Sequence, residues 1–227
     1  HAQPIACYKC GPRAWLERAD SKPVTAEMFS MLDDVDAACT LLQKGYIVAV
    51  KGIGGFQLAC DATNEDAVAR LRQLKHRERK PFALMVRDLE ISYEYCEVSE
   101  TEARLLQSAA APIVILERRY STRSGSDLAD TPSARYRSPY RTEVALSIAP
   151  GINTLGVMLP NSPLHHLLLR RMTRPIVLTS GNLSDEPQCI DNDEAMAHLG
   201  HIAEFFLTHN RPIAQRVDDS VVKVMAG

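Results

Sequence analysis

The sequence lacks long apolar runs and has almost no excess charge. Its apolar stretches, such as Tyr46–Val50, are far shorter than the ~20 residues that a membrane helix needs. The formal net charge is −2, whereas binding to nucleic acid or anionic lipid by counterion release needs many uncompensated Lys and Arg side chains. The sequence therefore predicts no membrane span, and any site for anions must be local.

The sequence also shows no leader segment after His1, in which charged residues would precede an apolar stretch. Its six cysteines are scattered, and only Cys7 and Cys10 lie close together. A chain of this size with scattered cysteines and no secretory leader is typical of reduced thiols. We therefore expect a cytoplasmic protein.

Cys7 and Cys10 form a Cys-x-x-Cys pair that Gly11 and Pro12 follow, as in half of a zinc knuckle. Zn²⁺ needs about four ligands in a tetrahedron, and no second Cys-x-x-Cys exists in the sequence. A redox dithiol or two idle thiols remain alternatives. We interpret residues 1–20 as a remnant of a zinc-finger region and residues 25–227 as the main domain.

The main domain reads as an α/β fold, and 45% apolar residues in 227 suffice for a packed core. Helical periodicity and capping residues predict helices at 26–44, 64–75, 88–96, 99–109 and 163–172. Apolar runs bounded by turn residues predict strands at 46–50, 56–61, 81–86, 113–116, 154–159, 175–179, 204–208 and 219–224. An arginine-rich loop at 118–142 interrupts this alternation and is a candidate lid.

A cluster of cations follows the second predicted helix. Lys75, His76, Arg77, Arg79 and Lys80 precede a buried strand. Lys supplies a mobile point charge and Arg a bidentate fork, so the cluster suits a polyphosphate. The alternative is a solvated helix end whose cations oppose the negative end of the helix dipole.

A second polar segment, Ser180-Gly181-Asn182, lies just beyond the carboxyl end of an apolar strand. Open α/β sheets bind their ligands at such ends, where short hydroxyl and amide side chains can hydrogen-bond phosphates or bases. An ordinary turn explains the same residues equally well.

Lys75-x-Arg77 followed by Ser180-x-Asn182 resembles the paired nucleotide-binding motifs of the YrdC family, whose threonylcarbamoyl-AMP synthases adenylate a carbamate. Further segments resemble the version of this domain in the HypF carbamoyltransferases: Val50–Phe56, Ala59–Thr63, Lys80–Ala83, Pro150–Pro160 and Arg216–Val221. Met158 departs from the pattern of the stand-alone synthases, which have an Arg there, so this position is left out of the site.

The resemblance implies a twisted, mixed open sheet with flanking helices and a concave, positively charged nucleotide cleft. It also implies ATP-dependent formation of carbamoyl-adenylate from carbamoyl phosphate with release of pyrophosphate, on the path to the cyanide ligands of [NiFe] hydrogenase. Mg²⁺ would arrive bound to ATP, and Zn²⁺ would belong to the full-length zinc-finger region. The implied partners are HypE, reached through the full-length protein, and adjacent acylphosphatase-like and carbamoyl-transfer domains.

The same resemblance assigns roles to individual residues. Lys75 and Arg77 would contact the phosphates and act in catalysis, together with Lys51 at the carbamoyl or phosphate end. ATP would also be bound by Ser180, Asn182, Arg216 and Ser220, and the metal ligands would be Cys7 and Cys10. The alternative function is a module that binds double-stranded RNA or a nucleotide without catalysis, although the net charge makes nucleic acid an unexpected partner.

Six other residues invite a functional interpretation, and the sequence does not favour it over a structural one. Cys60 and Cys189 have no neighbour in sequence that would lower a thiol pKa, so we expect packed or idle thiols. His165 and His166 begin a helix, and we expect one of them to face the core or cleft and the other to face solvent. The pair Asp218-Asp219 fits a metal approach and a capped strand start equally well.

Overall fold

The computed structural model describes residues 11–24, 33–119, 143–183 and 186–225. Within these residues, one mixed sheet of ten strands is flanked by six α-helices. The expectation of a mixed α/β sheet with flanking helices is confirmed. Among the described residues, no helix is both long and apolar enough to cross a membrane.

The elements alternate along the chain as the sequence predicts. The strands are β1 (Ala14–Arg18), β2 (Val48–Lys51), β3 (Phe56–Asp61), β4 (Ala83–Met85), β5 (Cys96–Glu97), β6 (Ile113–Arg118), β7 (Thr154–Met158), β8 (Ile176–Ser180), β9 (Phe205–His209) and β10 (Val221–Val222). The helices are α1 (Asp34–Gln43), α2 (Glu65–Leu74), α3 (Leu89–Tyr95), α4 (Glu100–Leu106), α5 (Pro163–Leu169) and α6 (Asn192–Leu199).

The strands lie in the order β1-β9-β2-β3-β8-β4-β7-β6-β10, and β5 pairs with β6. Pairing is parallel for β9/β2, β4/β7 and β6/β10 and antiparallel for the other neighbours. Lys51 pairs with Phe56 and Gln57 pairs with Ser180, so the ends of β2 and β8 lie at the same edge of the sheet as the start of β3. The candidate site forms at this edge.

Each face of the sheet carries its own core, because successive side chains of a strand point to opposite faces. On one face, α1 and α5 pack against Val48, Val50 and Leu178. On the other face, α2, α3, α4 and α6 pack against residues that include Leu58 and Leu84. The strands β2 and β3 are therefore buried on both faces and mostly apolar, with Lys51, Gln57 and Asp61 as their polar members.

Side-chain caps fix where the helices begin. Asn64 accepts a hydrogen bond from the backbone N–H of Ala67, as its place before the predicted helix indicates. Ser99 and Glu102 form a reciprocal capping box at the start of α4. Such caps satisfy backbone donors that the first turn leaves without partners.

Three elements were absent from the sequence prediction, and one of them is the two-residue strand β5. The helix α6 was not predicted, because a short segment with only Ala195 and Leu199 buried gives a weak periodic signal. The strand β1 was not predicted either, and it lies within the stretch assigned to the zinc-finger region, where it pairs with β9 of the main sheet. Residues 1–10, 25–32 and 120–142 lie outside the described residues, and with them Cys7, Cys10, the start of the first predicted helix and most of the arginine-rich loop.

Candidate nucleotide site

Lys75 closes α2, and its ammonium is held inside the protein at the carboxyl end of β8. Its Nζ donates to the backbone oxygens of Ser180 at 2.6 Å and Asn182 at 2.7 Å, and to Asn182 Oδ1 at 3.3 Å. The residue is only 3% exposed. Burial, and then repulsion by Arg77 and Lys80, lower the pKa of Lys75 to about 8. Lys75 therefore fixes the Ser180–Asn182 turn and is only partly protonated at mildly alkaline pH.

The chain reverses at His76, whose φ of 51° lies in the left-handed region and ends the helix. This turn brings Arg77 beside the same strand end, where Nη1 donates to Thr179 Oγ1 at 2.9 Å and Nε donates to the Lys80 oxygen at 2.9 Å. The guanidinium carbon lies 4.8 Å from the centroid of the Phe82 ring. Burial, and then repulsion by Arg72, lower the pKa of Arg77 to about 10, so it stays a cation at neutral pH.

The Ser180–Asn182 turn is held from both sides. Ser180 Oγ donates to Asn182 Oδ1 at 2.7 Å, and Asn182 Nδ2 donates to the Glu186 oxygen at 2.6 Å. Gly181 N donates to the Phe56 oxygen at 2.7 Å, and a Cβ on Gly181 would lie 2.5 Å from that oxygen. Only glycine permits this approach, which binds the turn to the start of β3.

The structure thus brings together four of the predicted site residues, namely Lys75, Arg77, Ser180 and Asn182. We call these four residues the cationic turn. Arg79 and Lys80, by contrast, are exposed to solvent.

Lys51 lies at the end of β2, and its ammonium forms hydrogen bonds with residues outside the cationic turn. Its Nζ donates to Asn192 Oδ1 at 2.7 Å and to the backbone oxygen of His209 at 3.2 Å. It borders a separate cavity of about 440 Å³ with residues of α6 and the segment after β9. Burial, opposed by the charge of Asp191, lowers the pKa of Lys51. The structure therefore places Lys51 among α6 and β9 residues rather than in the cationic turn.

Arg216 and Ser220 belong to an exposed segment that runs past the edge of the sheet. Arg216 Nε donates to the Gln188 oxygen at 2.7 Å, and Gln188 Nε2 donates to the Phe56 oxygen at 2.6 Å. Phe56 in turn accepts from Gly181, so a chain of hydrogen bonds joins Arg216 to the cationic turn. Ser220 lines a cavity with Asp219 and Gln57.

This cavity, which we call the central cavity, has a volume of about 210 Å³. Its walls come from five parts of the chain: Ile53–Gly55 with Gln57, Ala109–Ala111, Asn161 with His165, Gln188, and Val217–Ser220. Gln57 and Ser180 are paired across β3 and β8, so their side chains share a face of the sheet. The central cavity therefore lies at the same strand ends as Ser180, on the α5 side of the sheet, whereas Lys75 and Arg77 approach these strand ends from the α2 side.

Several residues that line the central cavity were assigned no site role from the sequence. Gln57 is an 8% exposed polar side chain within a fully buried strand, which is the signal that could have found it. His165 is buried and His166 is exposed, as expected for the pair. The positive charge expected of the nucleotide cleft is confined to the cationic turn, where the buried cations lie. Asp218 and Asp219 line the central cavity instead.

The described part of the chain offers no group of three or more His, Cys, Asp or Glu side chains that could hold a metal ion. Asp218 and Asp219 are the carboxylates at the central cavity, and Gln57 Nε2 lies 3.4 Å from Asp219 Oδ2. Two adjacent carboxylates suit an approach to Mg²⁺ that keeps most of its ligands from water and phosphate. They do not form a cage for a resident ion.

The buried thiols match the expectation of packed cysteines. Cys60 is fully buried, and burial, with the charge of Asp61 second, raises its thiol pKa. Burial, with Glu194 second, raises the pKa of Cys189 to about 11. Neither thiol is an activated nucleophile in this environment.

Comparison with known proteins identifies the family. The family described as "Telomere recombination" (Sua5/YciO/YrdC) matches residues 40–227. A carbamoyltransferase HypF from Rhodobacter capsulatus is 46% identical over 224 residues, which are 99% of this chain and 26% of that protein. A threonylcarbamoyl-AMP synthase from Vibrio cholerae is 26% identical over 76% of this chain and 83% of its own length.

A solved structure, full-length HypF in a phosphate- and nucleotide-bound form, superimposes with a TM-score of 0.80 at 42% identity, covering 98% of this chain and 26% of that one. This chain thus spans about a quarter of the length of the HypF relatives. With the family matched over most of its length and the fold shared, the chain belongs to the Sua5/YciO/YrdC family and is similar to the corresponding part of the HypF carbamoyltransferases.

Proposed function

We propose that this chain is the ATP-using domain of a carbamoyltransferase and forms carbamoyl-adenylate. The observation that carries the proposal is the cationic turn, which lies with the central cavity at the strand ends where open α/β sheets bind ligands. The similarity to HypF, and to a structure of HypF named as nucleotide-bound, supports ATP as the ligand. The Vibrio relative, named as a threonylcarbamoyl-AMP synthase, supports a carbamate as the group that is adenylated.

In the proposed reaction, an oxygen of carbamate attacks the α-phosphorus of ATP, and the bond to the β-phosphate breaks to release pyrophosphate. Carbamoyl phosphate would supply carbamate by hydrolysis. No covalent enzyme intermediate is needed, so alignment and charge stabilisation provide the catalysis. Mg²⁺ bound to ATP would neutralise phosphate charge, and Asp218 and Asp219 are placed to meet it.

The residues of the site would divide these tasks. Arg77 would supply a permanent positive charge to the phosphates, and Lys75 would add its own charge while holding the turn that presents Ser180 and Asn182. Arg216 and Ser220 would form the wall along the exposed segment. Lys51 would act at the carbamoyl or phosphate end only if it left Asn192.

Beyond this reaction, we propose a role in the maturation of [NiFe] hydrogenase. The adenylate would supply the carbamoyl group that a full-length protein passes to HypE, with acylphosphatase-like and carbamoyl-transfer domains as its neighbours. The Cys7–Cys10 pair would belong to a zinc-finger region of that protein. The similarity over 99% of this chain to a carbamoyltransferase HypF supports the proposal.

The test measures pyrophosphate release from ATP in the presence of carbamate, which forms in ammonium bicarbonate solution. Lys75→Ala and Arg77→Ala should each lower the rate at least about tenfold, since one charged hydrogen bond contributes about 1.5–3 kcal/mol. Arg104→Ala is the matched control, because Arg104 is an exposed cation on α4. Unchanged release in both site variants would refute the assignment.

A further inference from the structure

The central cavity contains buried polar atoms that the fold leaves without partners. Within the described residues, His165 Nε2 and Gln57 Oε1 are buried and have no hydrogen-bond partner. Both residues line the cavity, and their exposed fractions are 1% and 8%. A buried polar atom without a partner costs about 1–3 kcal/mol, so two such atoms at one cavity point to a ligand that completes them.

The hydrogen bonds of His165 determine what its free nitrogen can do. Nδ1 lies 2.8 Å from Asn161 Oδ1, and a carbonyl oxygen only accepts, so Nδ1 carries the proton. Burial, and then repulsion by His166, lower the pKa of His165 to about 4, so the ring is neutral at pH 7. Nε2 therefore presents a lone pair and can only accept a hydrogen bond.

Gln57 presents the same chemistry. Its Nε2 faces Asp219 Oδ2 at 3.4 Å, which leaves Oε1 as the atom without a partner. A carbonyl oxygen accepts, and the Asp219 carboxylate in the same cavity also accepts when ionised. The cavity wall therefore offers acceptors to its ligand, and an ionised carboxylate or a fully ionised phosphate has no proton to donate to them.

We propose that the central cavity receives the amino group of the carbamoyl substrate, with His165 Nε2 and Gln57 Oε1 accepting its two N–H donors. The inference rests on the proposed function for the identity of the substrate. It extends that function by naming the residues that distinguish carbamate from acetate, which has a methyl group in place of NH₂, and from bicarbonate, which has one O–H donor in place of two N–H donors. Because Gln57 pairs with Ser180 across the sheet, Ser180 is the member of the cationic turn whose side chain shares a face of the sheet with this pocket.

The first test observes binding without catalysis. The ¹⁵N signal of His165 Nε2 is followed in the whole chain at pH 8 with ammonium bicarbonate, ammonium acetate and sodium bicarbonate as probes. Ammonium bicarbonate, which contains carbamate, should shift the signal further than sodium bicarbonate, whose anion has one O–H donor, and ammonium acetate should not shift it. Equal shifts with the two bicarbonate salts would show that the N–H donors are not recognised and would overturn the inference. An equal shift with ammonium acetate would show a cation pocket, and no shift with any probe would show that no N–H donor binds there; either result overturns the inference.

The second test measures selectivity. Gln57→Leu and His165→Phe should each lower the ratio of carbamate-driven to acetate-driven pyrophosphate release about tenfold or more, because each removes one acceptor and retains most of the side-chain volume. His166→Phe is the matched control, since His166 is the exposed neighbour. Gln57→Leu keeps the test valid if His165→Phe does not fold, and ATP affinity measured by calorimetry should stay within a few fold in each folded variant.

The two proposals fail differently. If wild type releases no pyrophosphate but ammonium bicarbonate still shifts the His165 signal, the proposed reaction is wrong and the amino-group pocket stands. If carbamate drives pyrophosphate release and both Gln57→Leu and His165→Phe keep the wild-type ratio, the reaction stands and the pocket assignment is wrong.

Discussion

The depressed pKa of Lys75 makes a specific prediction about pH and ATP binding. Its pKa falls from the ordinary 10.5 to about 8 in the free protein. At about 1.4 kcal/mol per pKa unit, keeping this ammonium charged costs the folded chain about 3 kcal/mol relative to the unfolded chain. A phosphate beside it stabilises the charged form, so ATP binding should raise the pKa again and take up a proton.

ATP affinity changes with pH because the ATP-bound protein binds the proton of Lys75 more tightly than the free protein does. Below pH 7 Lys75 is protonated in both free and ATP-bound protein, so affinity does not depend on its titration. Above pH 8 the free protein loses the proton that the complex keeps, and ATP affinity should fall by up to about tenfold per pH unit. For the same reason, the destabilising effect of Lys75 on folding is fully present below pH 8 and is relieved as pH rises towards 10.5.

Isothermal titration calorimetry of ATP binding at pH 7, 8 and 9, in buffers of different ionisation enthalpy, measures the number of protons taken up on binding. Wild type should take up a fraction of one proton that grows with pH, and Lys75→Met should bind more weakly without this uptake. Arg77→Met should keep the uptake but move its onset to higher pH, because the charge of Arg77 helps to lower the pKa of Lys75. No uptake in wild type, or equal uptake in Lys75→Met, would refute the reasoning.

Three further predictions concern thiols, zinc and the core. Cys60→Ala and Cys189→Ala should keep carbamate-dependent pyrophosphate release within a few fold, since burial raises both thiol pKa values; loss of activity in folded Cys60→Ala would point to covalent catalysis. Because two thiolates seldom hold zinc tightly, metal analysis should find well under one zinc per chain at Cys7 and Cys10, with a thermal transition that a chelator does not change; stoichiometric zinc lost only on unfolding would contradict this. Leu84→Ala should lower the free energy of unfolding by about 2–5 kcal/mol in urea titrations, because the side chain is fully buried in a central strand; a loss below about 1 kcal/mol would contradict tight packing there.

Local signals determined much of the fold. The limits of β3 agree with the predicted strand at 56–61, and Asn64 caps the following helix, because apolar runs and capping residues act within a few positions of the chain. The order of strands could not be derived in the same way, since β9 lies between β1 and β2 through pairings that join distant segments. The strand β1 gave no clear signal because only Leu16 of its five residues is buried.

The sequence by itself determined the cationic turn, because two short motifs carry its four residues. Only the tertiary structure decided what each residue does: Lys75 is enclosed by Ser180 and Asn182, whereas Lys51 is bound to Asn192. The central cavity also required the fold, since β3 meets α5 and the segment before β10 there, and each of these lies more than a hundred residues from β3 in sequence. Burial and hydrogen-bond partners set the pKa values and determine which acceptors stay unpaired. Both depend on these long-range contacts, which a linear motif does not encode.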